Sequence, residues 1–342
     1  MEKPILHLLK AEHLPASIAA VREQATARSA RALSAISLLP PETSPQQLIA
    51  QLEYSLALLG QPSPASEYTS ADIAHLPEDR YEEHDLFFGA VRVQGKGTET
   101  LTRTLLEAYR GHLSDLLRAP EPFAREQQQL LGGAFLASFD LLRAHHAPAA
   151  DTTPTDLADP VEVVPAKVDA AIRWRLGHQV FFALIQSLIV AVSCATEAAE
   201  RASHTEAAQL LDTATVVMLG SAASLRYAGA FSPVAYAHAV RPSMMPPALK
   251  PKFSGLQLRD HRYLIKALGS LRAVIESADE GVRRSYLAFV AAMSKVYDEH
   301  KLVCAHFGGA TEPSLRMKAA ADMSAVDALE RLKRGRLRAA GY

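Results

Sequence analysis

Apolar and small residues recur at three- and four-residue spacing along most of the chain, and long alternating runs of β-branched residues are missing. This spacing marks one face of an α-helix. The first half of the chain therefore predicts helices at residues 17–38, 45–59, 99–118 and 122–146. Pro45, after Thr43 and Ser44, suits a first helical turn, and we expect Thr98 to cap the helix that follows it. Between these helices, the polar and proline-containing residues 61–79 predict a loop.

Longer helices are predicted in the second half of the chain, at residues 166–202, 206–228, 257–277 and 279–304. The first of these is apolar nearly all round in its second half, which predicts a central, buried position. Residues 231–255 hold five prolines and predict an irregular segment. Gly308 and Gly309 are expected to stop the helix before them. The basic tail, 328–342, predicts a helical end with a solvated face or a subunit contact.

A candidate linker divides the chain. Residues 147–165 contain four prolines and almost no helical pattern. They predict an N-terminal helical region at 1–146, a proline-rich linker at 147–165 and a second helical region at 166–342. The predicted fold class is all-α.

The composition narrows the class of protein. Hydrophobic residues make up 49% and charged residues 21% of the 342 residues, which excludes a disordered chain and a coiled coil. The net charge of −1 gives no drive toward nucleic acid or an acidic membrane surface, so neither partner is expected. The charged N-terminus is unlike a signal peptide, and the apolar stretch 180–196 is interrupted by Gln186 and Ser187. With two cysteines only, a reducing cytoplasm is the expected location.

Several familiar sequence motifs are absent. The chain has no phosphate-binding Gly-x-x-x-x-Gly-Lys-Ser/Thr loop, no dinucleotide-binding glycine pattern and no Gly-x-Ser-x-Gly elbow. It also lacks the Glu-x-x-His pairs of helical di-iron sites and the His-Glu-x-x-His zinc motif. Histidines on helices, one cysteine and a proline-rich segment remain as candidates for chemistry.

His300 and Cys304 form the sharpest local feature. A spacing of four places both side chains on one helix face, roughly 6 Å apart. An imidazole there could ligate a heme iron, and the thiol could form a single thioether with a heme vinyl group. The usual attachment signature is Cys-x-x-Cys-His, and the order here is reversed. The alternative is that Cys304 is a small buried hydrophobe, as we expect of Cys194, and that the histidine is near it by chance.

Three segments resemble the tryptophan 2,3-dioxygenase superfamily across about residues 166–318. The first is His178-Gln179 with its apolar, aromatic-containing run, similar to the distal-histidine helix. Two more segments follow in the same order. The substrate loop of that superfamily resembles Val240-Arg241-Pro242-Ser243 through Phe253-Ser-Gly-Leu-Gln, where Leu256 stands in place of an aromatic residue. The proximal-histidine helix resembles Glu299-His300 through His306-Phe-Gly-Gly. The resemblance implies an all-α bundle around a buried heme, with the N-terminal region as a helical extension.

The spacing of Cys304, four residues after His300, resembles that of a narrower subgroup. This subgroup is the c-type-heme 3-methyl-L-tyrosine hydroxylases of saframycin-type antibiotic biosynthesis. That pattern requires another histidine upstream, and His261 lies 39 residues before His300. The resemblance therefore implies that His261 and His300 are the two axial ligands of the iron and that Cys304 is the covalent anchor. The heme-binding catalytic region would be residues 166–342.

The same resemblance implies hydrogen peroxide as the oxidant, with no reductase partner. One ligand must leave the iron to open a site, and His261 is the better candidate because it follows a segment broken by proline and glycine. His178 is expected to move the peroxide proton, with an unperturbed pKa near roughly 6.5. The implied reaction converts 3-methyl-L-tyrosine to the catechol 3-hydroxy-5-methyl-L-tyrosine.

Side chains for the amino-acid substrate are also predicted. Arg241 is the expected anchor of the carboxylate, with Ser243 nearby, since a bidentate arginine suits a carboxylate. Arg226 and Arg259 compete with it for this role. Phe253 is expected to wall the ring pocket together with Phe181 and Phe182. His306 is the rival of His300 as ligand, and Asp298 or Glu299 could accept the other N–H of His300.

Two further hypotheses stay open at this point. One is a dioxygen-dependent heme oxygenase acting on tryptophan or another aromatic amino acid. The other is a non-enzymatic helical protein, either a bis-histidine electron-transfer heme protein or a bundle without a cofactor. The apolar faces of the N-terminal helices must pack on something, which leaves a homodimer open.

Overall fold

A computed structural model of the chain describes residues 4–37, 43–62, 81–119, 124–143, 167–249, 258–309 and 324–339. Helices dominate these residues, as the apolar spacing predicts. Their bounds are α1 Ile18–Glu23, α2 Ala27–Ser37, α3 Pro45–Leu59, α4 Tyr81–Phe88, α5 Gly97–Arg118, α6 Arg125–Arg143, α7 Ala170–Glu200, α8 His204–Ala228, α9 Arg259–Ile275, α10 Glu280–His306 and α11 Ala325–Ala339. The predicted all-α class is confirmed.

Helix α8 lies at the centre of the bundle and packs against α6, α7 and α10. Small residues permit this close packing. A Cβ on Gly177 of α7 would come within 2.4 Å of the Ala228 Cα, and one on Gly220 of α8 would come within 2.1 Å of the Ala134 Cβ on α6. Helix α7 is buried along most of its length, as its apolar pattern predicts. The two helices thus form the interior against which the candidate site is built.

A small sheet is the main element that the apolar pattern does not predict. Strand β1, Leu6–Leu9, pairs in parallel with β2, Ala90–Val93, in the register Leu6 to Ala90. Each strand has four residues, too few to show a two-residue alternation against a helical background. The sheet is buried against α5 and brings the N-terminus beside residues 81–93.

Two helix starts differ from the prediction. Residues 17–38 form two helices rather than one, because Thr26 and Ser29 exchange side-chain and backbone hydrogen bonds that start α2 afresh. Thr98 does not cap α5: the helix begins at Gly97, and the Thr98 hydroxyl donates to the Val21 carbonyl at 2.7 Å. The start of α3 is as predicted, with a Ser44–Gln47 capping box and proline in the first turn.

The proline-rich segment after α8 is more regular than predicted. It forms consecutive helical turns, Pro233–Ala235, a π-helical Tyr236–Val240 and Arg241–Ser243. The predicted linker, 147–165, and most of the predicted loop at 61–79 lie outside the described residues. The basic tail forms α11, which packs along α10 instead of standing in solvent.

Helices α7 and α8 are long and apolar enough to cross a membrane by length and composition. In α7, 89% of the most apolar window is buried inside the protein. A core helix passes the same test, and α7 lies where the apolar pattern predicts a buried helix.

Candidate functional site

The end of α10 carries His300 and Cys304, both half-buried. The helix stops in the way the glycine pair predicts. Gly308 has a positive φ of 87°, Gly309 N donates to the Cys304 carbonyl at 2.8 Å, and Gly308 N donates to the Ala305 carbonyl at 3.1 Å. This turn fixes the backbone at the cysteine. Burial raises the pKa of the Cys304 thiol to about 11, so the group stays a neutral thiol at neutral pH.

His261 lies in the first turn of α9, close enough to His300 for the two imidazoles to interact electrostatically. Burial lowers the pKa of each imidazole to about 4, and the two are near enough for His261 to lower the pKa of His300 further. Both rings are therefore neutral at neutral pH, which is the form that binds a metal. The structure thus brings together two histidines that are 39 residues apart in the chain.

His178 lies on α7, and its Nδ1 is 2.7 Å from the Trp174 carbonyl oxygen. Because a carbonyl can only accept, Nδ1 carries the proton and Nε2 is left with a free lone pair. Burial lowers the pKa of His178 to about 3, with smaller contributions from His84 and His300. The expected unperturbed pKa is therefore wrong, because local sequence does not show how much protein surrounds the ring.

These contacts make one cluster, in which His300 interacts electrostatically with both His178 and His261. Among the residues that the structure describes, no group of three or more His, Cys, Asp or Glu side chains could hold a bare metal ion. A heme needs at most two protein ligands because the porphyrin supplies four nitrogens. A pair of neutral imidazoles therefore fits a heme better than it fits a free metal ion.

His84, on α4, is a site residue that sequence reasoning missed. It is fully buried, and it shares the neighbours Phe88 and Phe182 with His178. The Phe88 ring stacks on His178 with ring centroids 4.2 Å apart. The histidine and two phenylalanines in the stretch His84-Asp-Leu-Phe-Phe are the signal that could have found it. A wall of the site thus comes from the N-terminal half of the chain.

Trp174 joins His178 to an aromatic cluster. Its ring lies 4.4 Å from the His178 ring and 5.9 Å from that of Tyr236. Tyr236 in turn stacks on Phe307 at 4.3 Å, just after α10. The cluster therefore connects α7, the π-helical turn and the end of α10 on the His178 side of the site. Arg175, by contrast, donates to the Phe87 carbonyl at 2.9 Å.

A buried ion network holds the backbone beside two of the histidines. Arg92 of β2 pairs with Asp85 (Nε to Oδ2, 2.8 Å) and with Asp260 (2.6 Å), the neighbours of His84 and His261. All three side chains are nearly inaccessible to solvent. Gln186 of α7 adds a 2.7 Å hydrogen bond to Asp260. The small sheet, α4, α7 and α9 are thereby tied together at the site.

The predicted substrate-binding residues differ in the contacts that they make. Arg226 forms an ion pair with Glu299, and Arg259 pairs with Glu12 at 3.1 Å, so neither competing arginine is poised for a substrate carboxylate. Arg241 is half-buried in the segment after α8.

Ser243, two residues further on, donates its hydroxyl to the Val240 carbonyl at 2.7 Å. Phe182 is buried among the rings around His84, and Phe181 packs against the core. Phe253 lies outside the described residues.

The other candidate side chains near His300 are engaged elsewhere. His306 contacts the Phe231 carbonyl through Nε2 at 3.1 Å. Asp298 binds Lys301 and Lys333, and Glu299 binds Arg226. These contacts favour His300 over its rival and leave neither carboxylate paired with His300.

Comparison with known proteins identifies the family to which this sequence and fold are similar. The sequence model of the family described as SfmD 3-methyl-L-tyrosine peroxygenase matches residues 7–285. A 3-methyl-L-tyrosine peroxygenase from Streptomyces lavendulae is 31% identical over 335 residues, which cover 96% of this chain and 88% of the relative. The crystal structure of reduced SfmD, soaked with sodium hydrosulfite, superposes with a TM-score of 0.67 at 29% identity, covering 87% of this chain and 96% of that one.

The helical bundle with its histidine-lined site is that of an oxidoreductase of the peroxygenase class. The chain belongs to the SfmD 3-methyl-L-tyrosine peroxygenase family. The predicted membership among the 3-methyl-L-tyrosine hydroxylases is thereby confirmed, and the hypothesis of a non-enzymatic protein is set aside. The matched segment of the family model ends at residue 285, before α10 reaches His300, so it does not cover His300 or Cys304.

Proposed function

We propose that this protein is a heme-dependent peroxygenase that hydroxylates 3-methyl-L-tyrosine, giving 3-hydroxy-5-methyl-L-tyrosine for tetrahydroisoquinoline antibiotic biosynthesis. In the net reaction one peroxide oxygen replaces a ring hydrogen as a hydroxyl group, and water is the other product. The observation that supports this proposal most strongly is the cluster of three neutral histidines, His178, His261 and His300. Cys304 lies one helical turn after His300. The name of the Streptomyces lavendulae relative supports the same substrate and oxidant.

Residues of α9 and α10 would hold the proposed heme. His300 and His261 would bind its iron, and Cys304 would anchor it by adding its S–H bond across one vinyl group. The neutral thiol, one helical turn from His300, is consistent with a single thioether. When bound, the heme iron supplies the redox chemistry that activates peroxide.

His261 is the ligand proposed to leave during turnover. With both His300 and His261 bound, the iron would have no open position, so one histidine would have to release it to admit peroxide. His300 is held within α10 and, in this proposal, by the thioether. Asp260 pins the backbone next to His261 through its buried ion pair with Arg92. Release of His261 would therefore proceed by rotation of the side chain, not by movement of α9.

His178 is the proposed base that moves the peroxide proton. Its Nδ1–H is held by the Trp174 carbonyl, and its Nε2 lone pair is available across the physiological pH range because the pKa is about 3. The stacked Phe88 ring and the Trp174 ring fix its orientation. A released His261 would be a second neutral imidazole able to share this role.

The substrate would be held by Arg241 through its carboxylate, with Ser243 beside it and Phe253 against the ring. Helical turns place Arg241 and Ser243 on one short segment next to the aromatic cluster.

The catalytic region would be residues 166–342. The region 1–146 would contribute one wall of the site through His84, and the linker 147–165 would join it to the catalytic region. A cytoplasmic location and a homodimer remain predictions.

A product assay separates this proposal from a dioxygen-dependent oxygenase acting on tryptophan or another aromatic amino acid. The purified protein is given 3-methyl-L-tyrosine with ¹⁸O-labelled hydrogen peroxide, or with dioxygen and ascorbate. We expect catechol product carrying the label with peroxide alone. Product formed only with dioxygen and reductant would establish the alternative.

A matched pair of variants tests the proposed base. His178→Asn should lower the peroxide-dependent rate by roughly 10²–10⁴-fold, because proton transfer by a positioned imidazole contributes that much. His238→Asn, at an exposed position in the turn after α8, should leave the rate unchanged. Equal rates in the two variants would remove His178 from the mechanism.

A further inference from the structure

Helix α11 is fastened to α10 by charged contacts. Lys333 donates to both carboxylate oxygens of Asp298 at 2.7 Å, and Lys301 pairs with Glu330 at 2.6 Å. Leu329 is buried on the same side of α11. Positions 329, 333 and 336 share one face of the helix, so this docking turns Arg336 toward α10.

Arg336 is half-buried beside the histidine cluster. Its guanidinium hydrogen bonds to the side chain of Tyr297, which lies one turn before His300 on α10. It also lies close enough to His261 to lower the pKa of that imidazole. Arg336 therefore lies near His261 and contacts α10 one turn before His300.

Among the described residues, Arg336 has no anionic partner. In the described part of the chain no Asp or Glu side chain pairs with it, whereas Lys333 and Arg334 of the same helix pair with Asp298 and Glu330. Its neighbours Tyr297 and His261 are neutral groups. A partly buried guanidinium is costly unless an anion pairs with it, and its planar fork matches a carboxylate.

We propose that Arg336 is a carboxylate-binding residue of this site, in addition to Arg241. The inference rests on the proposed function, which supplies two carboxylates at this position: a propionate of the heme and the carboxylate of the amino-acid substrate. Both share the chemistry that Arg336 recognises, and they are distinguished by experiment. The basic tail is then part of the site and not a solvated face.

The test uses the full-length holoenzyme with Arg336→Gln, Arg336→Lys and the control Arg338→Gln, an exposed arginine of the same helix. Two quantities are measured: the midpoint potential of the heme, and the dissociation constants of 3-methyl-L-tyrosine and of 3-methyltyramine, which lacks the carboxylate. If the carboxylate is the substrate's, Arg336→Gln weakens 3-methyl-L-tyrosine binding at least tenfold and leaves 3-methyltyramine binding and the potential unchanged.

If the carboxylate is a propionate, Arg336→Gln shifts the midpoint potential or lowers the heme content, and both ligands keep their relative affinity. In either arm Arg336→Lys restores part of the effect because it keeps the charge. Arg336→Gln behaving like Arg338→Gln in every measurement would overturn the inference while leaving the proposed function intact. A wild-type protein that binds neither heme nor the amino acid would overturn both.

Discussion

Arg92 and Asp260 form an ion pair inside the protein, with 2.6 Å between the guanidinium nitrogen and the carboxylate oxygen and about 1% of each side chain exposed. Asp260 directly precedes His261, a proposed iron ligand. The same arginine binds Asp85, which follows His84. One buried cation on a short strand thus positions the backbone at two histidines of the site, and this relationship links the fold to its chemistry.

The first prediction concerns this cation. Arg92→Met would leave two buried carboxylates without a counter-charge, and breaking a buried pair in this way costs about 3–5 kcal/mol. Urea unfolding should show a loss of that size in the free energy of unfolding. Arg28→Met, which breaks the partly exposed pair with Glu99, should cost less than about 1 kcal/mol. Similar losses in the two variants would mean that the buried network does not hold the fold.

The second prediction concerns the approach of α7 to α8 beside His178. Gly177→Ala would place a Cβ 2.4 Å from the Ala228 backbone, and overpacking of this kind costs about 1–3 kcal/mol. Gly133→Ala in α6, where no atom lies within 4 Å of the new Cβ, should instead stabilise the helix by about 0.5–1 kcal/mol. Thermal unfolding measures both. A Gly177→Ala protein as stable as Gly133→Ala would show that the helices do not meet this closely.

The third prediction concerns pH and uses His112, a buried histidine whose ring lies against Tyr227. Burial lowers its pKa to about 3 in the folded protein, against about 6.5 when unfolded. The unfolded chain therefore binds an extra proton below pH 6.5. As the pH falls below 6.5, this group lowers the free energy of unfolding by up to about 1.4 kcal/mol per pH unit.

His112→Phe keeps a ring but cannot titrate, so its stability should fall less steeply between pH 6.5 and 4.5 than that of the wild type. His13→Gln, at an exposed position, should follow the wild-type slope. Parallel slopes in all three proteins would show that His112 does not stay neutral in the folded state. Urea midpoints at several pH values provide the measurement.

The fourth prediction separates His300 from its rival. His300→Ala should lose the low-spin bis-histidine absorption spectrum, because an axial ligand is removed. His306→Gln should keep that spectrum, since the His306 Nε2 already contacts the Phe231 carbonyl. The reverse outcome would move the proximal ligand to His306 and would separate Cys304 from the ligand by two residues instead of four.

Local signals in the sequence predict much of this fold. The proline in the first turn of α3 and the glycine stop at Gly308 and Gly309 are short-range features, and both are found where they were expected. The all-round apolar pattern of α7 likewise predicts its burial. The four-residue strands were missed, because their pairing joins segments more than 80 residues apart in the chain and leaves no local pattern.

The site could be predicted only in part, for the same reason. The i, i+4 spacing of His300 and Cys304 is visible in the sequence, whereas the pKa of His178 depends on the bulk of protein around the ring. His84 and Arg336 are contributed by elements distant in sequence, α4 and α11. No spacing rule connects them to the histidines that they face.

The attachment of the heme through Cys304 is the central claim, and mass spectrometry of the denatured protein tests it most directly. The wild type and Cys194→Ala, which alters the other, buried cysteine, should each be heavier by one heme after denaturation. Cys304→Ala should bind heme in the native state and release it on denaturation. A wild-type protein that also releases its heme, or a Cys304→Ala protein that retains it, would contradict the thioether at Cys304.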